Sequence, residues 1–147
     1  MIKHYHHTQT GYLIIVILIL GLIFLSYLLI FHGFVWIVFI ITIILGFCTI
    51  LFATLTVIIK ENILEIQFGP GIIRKKFLLT DIDSCQIVKN PWYYGWGIRV
   101  IPNGFLYNVS GFYAVEIKMK TGKKYRIGTD VPKELEKAIL ESIKINK

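Results

Sequence analysis

The sequence predicts two structures in one chain. The first is a helical hairpin suited to a lipid bilayer. The second is an α+β domain of about seven antiparallel strands closed by one C-terminal helix. Three observations predict this division. Of the 147 residues, 55% are hydrophobic and only 17% are charged, against about 25% charged in a soluble domain. Lys3 is the only formally charged side chain before Lys60, and residues 12–59 contain no Asp, Glu, Lys or Arg. From Leu55 onward the apolar period changes to two, and all nine acids and fifteen of the sixteen bases lie in residues 60–147. A single soluble globule, a disordered chain and a disulfide scaffold are excluded.

The 48 uncharged residues would make one straight helix about 72 Å long. A bilayer core is about 30 Å thick and takes about 20 residues, so the run must fold back. The break is His32-Gly33, the only polar residue and glycine adjacent near its middle. Residues 12–31 are the first expected span and residues 34–53 the second. Thr54 to Ile59 are β-branched except for Leu55 and suit a strand better than a helix. The first span is longer than a signal-peptide core of about 7–15 residues, and no small-x-small cleavage site follows it, so it is expected to be retained.

Basic residues set the expected orientation. Lys3 precedes the first span, no base lies in the connection, and Lys60, Arg74, Lys75 and Lys76 follow the second. The expectation is a multi-pass protein of the cell (inner) membrane with both termini cytoplasmic, residues 1–11 being a cytoplasmic tail. Tyr12, Tyr27 and Trp36 fall near the expected interfaces. The polar residues inside the spans are mild: Ser26, Thr42, Cys48 and Thr49. No ionisable pair marks an ion or proton path, so the hairpin reads as an anchor. Gly21 and Gly46, one per helix, are a weak signal for close helix contact.

The second half, residues 54–147, alternates. Leu64, Ile66 and Phe68 alternate with Glu65 and Gln67, and Gly69-Pro70-Gly71 turns the chain into Ile72–Leu79. Ser84–Lys89 is a weaker strand. Ile98–Ile101 and Phe105–Val109 flank the turn Pro102-Asn103-Gly104, and Tyr113–Lys120 leads through Thr121-Gly122-Lys123 into Lys124–Ile127. Asp130 can cap the helix that follows, Pro132 suits its first turn, and Leu135, Ala138, Ile139, Ser142 and Ile143 form its mostly apolar face. Seven short strands need a barrel or two packed sheets to protect their edges.

Strands followed by a C-terminal helix resemble a pleckstrin-homology-like (PH-like) barrel. The wording is closer still to small prokaryotic membrane proteins that carry a bacterial PH-like domain behind a transmembrane hairpin. The residues in question are Phe68–Gly71, Asn90–Arg99, Tyr107–Gly111 and Arg126–Asp130. The resemblance covers about residues 54–145. It implies a fold and a location, with no assigned chemistry. Some PH domains hold phosphoinositides in a basic first hairpin loop, but neither Glu61-Asn62 nor Gly69-Pro70-Gly71 supplies several bases.

Two surfaces are candidate sites. Trp92, Tyr93, Tyr94 and Trp96 crowd four aromatics into Trp92–Gly97 beside Arg99. They form either a contact surface for a partner or headgroups, or a plug for the barrel mouth. Arg99 can bond a carbonyl, pair with Asp81 or Asp83, or hold a phosphate. The basic set is Arg74, Lys75, Lys76, Lys118, Lys120, Lys124 and Arg126, with Lys123 nearby. By alternation Lys118, Lys120, Lys124 and Arg126 share one outward face. That face is either a solvated strand surface or a site for anionic lipid. Nucleic acid is not expected, because the aromatics do not interleave with the bases and the excess from Lys60 onward is only +6.

His4, His6 and His7 read as a polar tail rather than a metal site. Cys48 and Cys85 fall in different environments, which argues against a disulfide. Asn108-Val109-Ser110 reads as a turn despite its glycosylation pattern, and Ser110 has no nearby His to activate it. No cofactor, metal or catalysis is expected. The expected partners are the bilayer, anionic lipid, and a membrane or cytoplasmic protein that can be a second copy. The expected role is an anchored interaction module; the alternative is an anionic-lipid sensor using the basic hairpin and aromatic loop.

Overall fold

The computed structural model describes residues 4–146, so Lys3, counted among the flanking charges, and Lys147 lie outside the described residues. Two paired strands carry the two helices. Strand β1 (Tyr5–Thr10) runs through Gly11 into helix α1 (Tyr12–Phe31). Helix α2 (Trp36–Phe52) returns through Ala53 into strand β2 (Thr54–Lys60). The strands pair antiparallel from Tyr5↔Ile59 to Thr10↔Thr54. Where strands become helices, the Gly11 N–H donates to the Ala53 carbonyl at 2.8 Å.

The expected tail over residues 1–11 is therefore corrected: its described part is an edge strand. Such a strand is held by its backbone ladder and needs no apolar alternation, so hydropathy could not reveal it. Gln9 is its one buried residue, and its Nε2 donates to the Ser110 carbonyl at 3.1 Å.

Helix α1 has 20 residues, is long and apolar enough to cross a membrane, and has no buried residue. Helix α2 has 17 residues, not the 20 of the expected span 34–53, because Val35 is extended and Ala53 ends the helical turn. It buries only Leu51. Among the described residues α1 alone is long and apolar enough to cross a membrane, and α2 is a shorter apolar helix. They pack on each other where a Cβ on Gly21 would lie 3.1 Å from Leu45. Thr42 and Thr49 donate to the Val38 and Leu45 carbonyls at 2.8 Å, which satisfies both hydroxyls within the helix.

The remaining strands are β3 (Ile63–Phe68), β4 (Ile73–Leu78), β5 (Ile82–Lys89), β6 (Gly97–Ile101), β7 (Gly104–Asn108), β8 (Tyr113–Met119) and β9 (Lys124–Gly128). One sheet has the order β1-β2-β3-β4 and the other β5-β8-β9-β7-β6. Nine strands replace the expected seven among the described residues. β1 is the strand with no counterpart among the expected runs, whereas β2 and β3 match the expected runs at Thr54–Ile59 and Leu64–Phe68. The all-antiparallel expectation is also corrected, because β9 inserts between β8 and β7 and lies parallel to β7.

The register gives the domain two ends. Thr10, Thr54, Phe68 and Ile73 adjoin the helices, whereas Tyr5, Lys60, Ile63 and Leu78 lie at the opposite end. In the second sheet a Cβ on Gly11 would lie 2.7 Å from the Val109 carbonyl, which places the end of β7 beside the helices. The start of β7 and of its parallel neighbour β9 is then helix-distal, as is the β8–β9 turn.

The sheets face each other across Leu55, Val57, Leu64, Ile66 and Phe68 on one side and Tyr107, Val115, Ile117 and Ile127 on the other. Helix α3 (Pro132–Ile145) closes this core with Leu135, Ile139 and Ile143. Its cap differs from expectation. Val131 is the N-cap without a side-chain bond, and the Asp130 carboxylate instead meets His7 Nε2 of β1. Pro132 takes the first turn as its fixed φ favours.

Gly69 holds the β3–β4 turn against the helical hairpin. Its φ is +52°, and a Cβ there would lie 2.4 Å from the Ile50 carbonyl. Gly69→Ala is expected to cost about 2 kcal/mol, read as a lower thermal midpoint in detergent. Gly46→Ala, whose Cβ would meet only Leu22 at 4.0 Å, is expected to leave that midpoint unchanged or slightly raised.

Candidate functional site

The aromatic loop leaves β5 through buried Asn90, whose N–H donates to the Phe112 carbonyl at 2.6 Å. Residues Trp92–Tyr94 make one 3-10 turn, and Gly95 turns the chain onward at φ +64°. The four aromatics then part company. Tyr94 packs on the small cluster Ile101, Leu106 and Ala114, on the outer face of the five-stranded sheet. Arg126 lies over the Tyr94 ring at 5.8 Å. Trp96 is half-buried and lines a groove of about 300 Å³ with Ile14 and Leu18 of α1, Cys48 and Phe52 of α2, and Arg99. Trp92 and Tyr93 stay 79% and 68% exposed. One loop thus supplies a cover for the outer sheet face, a groove wall and an open surface at the helix-proximal end, and Tyr94 does not fill the space between the sheets.

Arg99 is exposed and donates through Nε to the Trp96 carbonyl at 3.0 Å, pairing with neither Asp81 nor Asp83. Arg74 makes the same clamp on the Gly71 carbonyl, three residues back. Each clamp uses Nε and leaves terminal guanidinium nitrogens for other acceptors.

The basic set does not act as one surface. Arg74 is helix-proximal. Lys75 lies over the Phe77 and Tyr125 rings at 5.9 and 6.0 Å. Lys76 meets Glu65 at 3.7 Å. In the β8–β9 hairpin, Lys118↔Lys124 and Glu116↔Arg126 are direct cross-strand partners. Buried Glu116 accepts from Arg126 Nε at 2.8 Å and meets Lys124 Nζ at 3.4 Å. Arg126 also donates to Asn90 Oδ1 at 3.0 Å, tying the hairpin to the aromatic loop. Among the described residues Lys118 and Lys120 make no ion pair. They lie at the helix-distal end, about 17 Å from the helix-proximal end at the rise of a five-residue strand. The Debye length is about 8 Å at physiological salt, so a surface at the hairpin base acts on them only weakly.

Glu116 and Asn90, which join the hairpin to the aromatic loop through Arg126, did not stand out in the sequence. Strand pairing held the signal for Glu116: in register an acid sits opposite Arg126, which stabilises a sheet pair. Burial pushes the Glu116 carboxyl up, but the Arg126 hydrogen bond and charge, with Lys124, outweigh it and hold the group below its usual range.

The smaller motifs resolve simply. Asn108 is buried; its Nδ2 donates to the Gly111 carbonyl and its Oδ1 accepts from Ser110 N–H, so Asn108-Val109-Ser110 is a turn. Cys48 and Cys85 are free thiols. Burial, then Glu136, pushes the Cys85 thiol up to about 11. His7 has the acid partner Asp130 that the sequence did not reveal, while His4 lines a cavity of about 280 Å³ with Tyr5, Glu134 and Lys137. Among the described residues no three His, Cys, Asp or Glu side chains converge as metal ligands.

Glu116 gives a pH test. Its depressed folded value means its contribution is present above the unfolded carboxylate range and is lost as pH falls through the folded value. Glu116→Gln is expected to cost about 1–2 kcal/mol at pH 7. It should also flatten the fall in unfolding midpoint between neutral pH and pH 3, measured by thermal unfolding beside the parent chain.

No protein-family model and no curated protein matches the chain.

Proposed function

We propose that the chain is a membrane-anchored interaction module, in which both helices span the bilayer and a PH-like domain sits on the cytoplasmic face. It engages a protein partner or a second copy of itself and performs no catalysis. The two-sheet core closed by α3 supports the PH-like reading, and the return of both helices to one paired-strand joint supports a two-span anchor.

One observation carries the interaction role: strand β6 is an unguarded edge. The outer edge of β4 bears exposed Arg74, Lys75 and Lys76, and charge discourages strand addition. β5 is covered by α3, with Ile87 N–H donating to Glu136 Oε1 at 3.2 Å. β1 lies against the second sheet through Gln9–Ser110 and His7–Asp130. Among the described residues β6 has no such cover beyond its start, where Ile98 and Arg99 line a groove with the helices, and Arg99 is its one charge against three on β4. Its Ile98 and Val100 are exposed, Val100 at 80%, beside exposed Phe105. β6 and β7 are joined by the two-residue turn Pro102-Asn103, closed by the Ile101↔Gly104 pair. Alternation of the ladder then aims the backbone groups of Ile98 and Val100 away from β7. An extended peptide can add there, with its backbone supplying affinity and apolar side chains supplying fit.

The anionic-lipid reading of Lys118, Lys120, Lys124 and Arg126 has less support. Two of these bases already meet Glu116, and the hairpin tip points away from the helices.

Val100→Pro removes an outward N–H while leaving the ladder to β7 intact. In native membranes, a membrane-impermeant crosslinker should give an adduct with the parent chain and lose it with Val100→Pro. In sealed right-side-out vesicles the adduct should appear only after permeabilisation. An adduct unchanged by Val100→Pro contradicts the β6 assignment, and one formed without permeabilisation contradicts the orientation.

A further inference from the structure

The groove between the hairpin and the start of β6 has walls of two kinds. Ile14, Leu18, Cys48 and Phe52 give it an apolar side, and Trp96 and Arg99 a polar rim. The Trp96 indole N–H is buried and meets no acceptor, which is uncommon for a buried donor and calls for a partner. Arg99 spends Nε on the Trp96 carbonyl, and among the described residues it makes no ion pair. The Arg99 cation and Trp96, whose indole N–H has no partner, therefore line one apolar slot.

The position of the slot selects its occupant. α1 begins at Tyr12, so Ile14 lies about 3 Å and Leu18 about 9 Å along its axis at 1.5 Å per residue. The slot thus follows the first turns of α1 and the last turns of α2. With the hairpin in a bilayer, that level is where headgroup phosphates give way to acyl chains.

We propose that this groove is a binding site for one phospholipid. An acyl chain lies along Ile14, Leu18, Cys48 and Phe52. The phosphodiester accepts from the Arg99 guanidinium and the Trp96 indole N–H. The site rests on the membrane-spanning reading above. It differs from a lipid surface read by the basic hairpin, because it uses none of those lysines. It also gives the aromatic loop a second task, since a lipid bound at Trp96–Arg99 orders the entrance to β6, the edge assigned to partners.

The test uses the full chain with Trp36→Phe and Trp92→Phe, which leaves Trp96 as the only tryptophan of three. It is reconstituted in phosphatidylcholine vesicles with brominated acyl chains. Trp96 emission should be quenched. Phospholipid retained through detergent exchange, read as phosphorus per chain, should fall about tenfold with Arg99→Gln in the parent chain. Trp96→Phe, which keeps a ring and removes the N–H, should also lower it. Both variants should keep the parent unfolding midpoint. Unquenched Trp96, equal phosphorus in parent and Arg99→Gln chains, or a protein crosslinked at position 96 in place of lipid overturns the proposal. Alkaline carbonate washing separates the two readings. A chain that stays in the membrane but retains no phosphorus loses only the lipid site, whereas a chain that washes off loses the anchor as well.

Discussion

The structure depends on one joint, the pairing of β1 with β2 at the point where both become helices. A single covalent link between a membrane anchor and a domain acts as a hinge. Here two chain crossings leave the domain side by side, bridged by the Gly11 N–H to the Ala53 carbonyl at 2.8 Å. The Gly69 turn presses on the end of α2 at the same level. Bending the hairpin away would break ladder bonds and expose Leu51 and Phe68, both buried. The domain is therefore held at a fixed height and rotation relative to its helices.

That fixed pose sorts the surface by distance. The aromatic loop, Arg74 and Arg99 lie at the helix-proximal end, while Lys118, Lys120 and Lys123 lie at the distal end. Charge alone would have placed the lysine-rich hairpin beside the apolar helices. The register sends it the other way, and Glu116 takes up its two inner bases. The two arginines nearest the helices are fewer but better placed, each braced by Nε on a carbonyl three residues back. Position outweighs number once the separation exceeds the screening length.

Much of the architecture was legible in the sequence. The charge-free run, the break at His32-Gly33, the strand starting at Thr54 and the apolar face of α3 follow from periodicity, which reports burial. What escaped is held by other forces. β1 has no apolar pattern because backbone pairing and one buried amide, Gln9, secure it. Asp130 left its expected cap for His7, 123 residues away. The β7–β9 pairing is a parallel contact between strands separated by β8, and local sequence does not encode such a choice. The aromatic cluster was visible as a site, but its division among Tyr94, Trp96 and the exposed pair depends on which sheet face the loop crosses.

The joint itself is the most direct place to test this account. Thr8 and Thr56 are register partners with hydroxyl oxygens 2.9 Å apart, a cross-strand spacing that suits a disulfide. In the full chain in membranes, with Cys48 and Cys85 changed to Ser, Thr8→Cys with Thr56→Cys should oxidise to an intramolecular disulfide rapidly and nearly completely. His6→Cys with Thr56→Cys, two residues out of register, should oxidise slowly. Equal rates for the two pairs, or no disulfide in either, would contradict the two-strand joint and the fixed pose that follows from it.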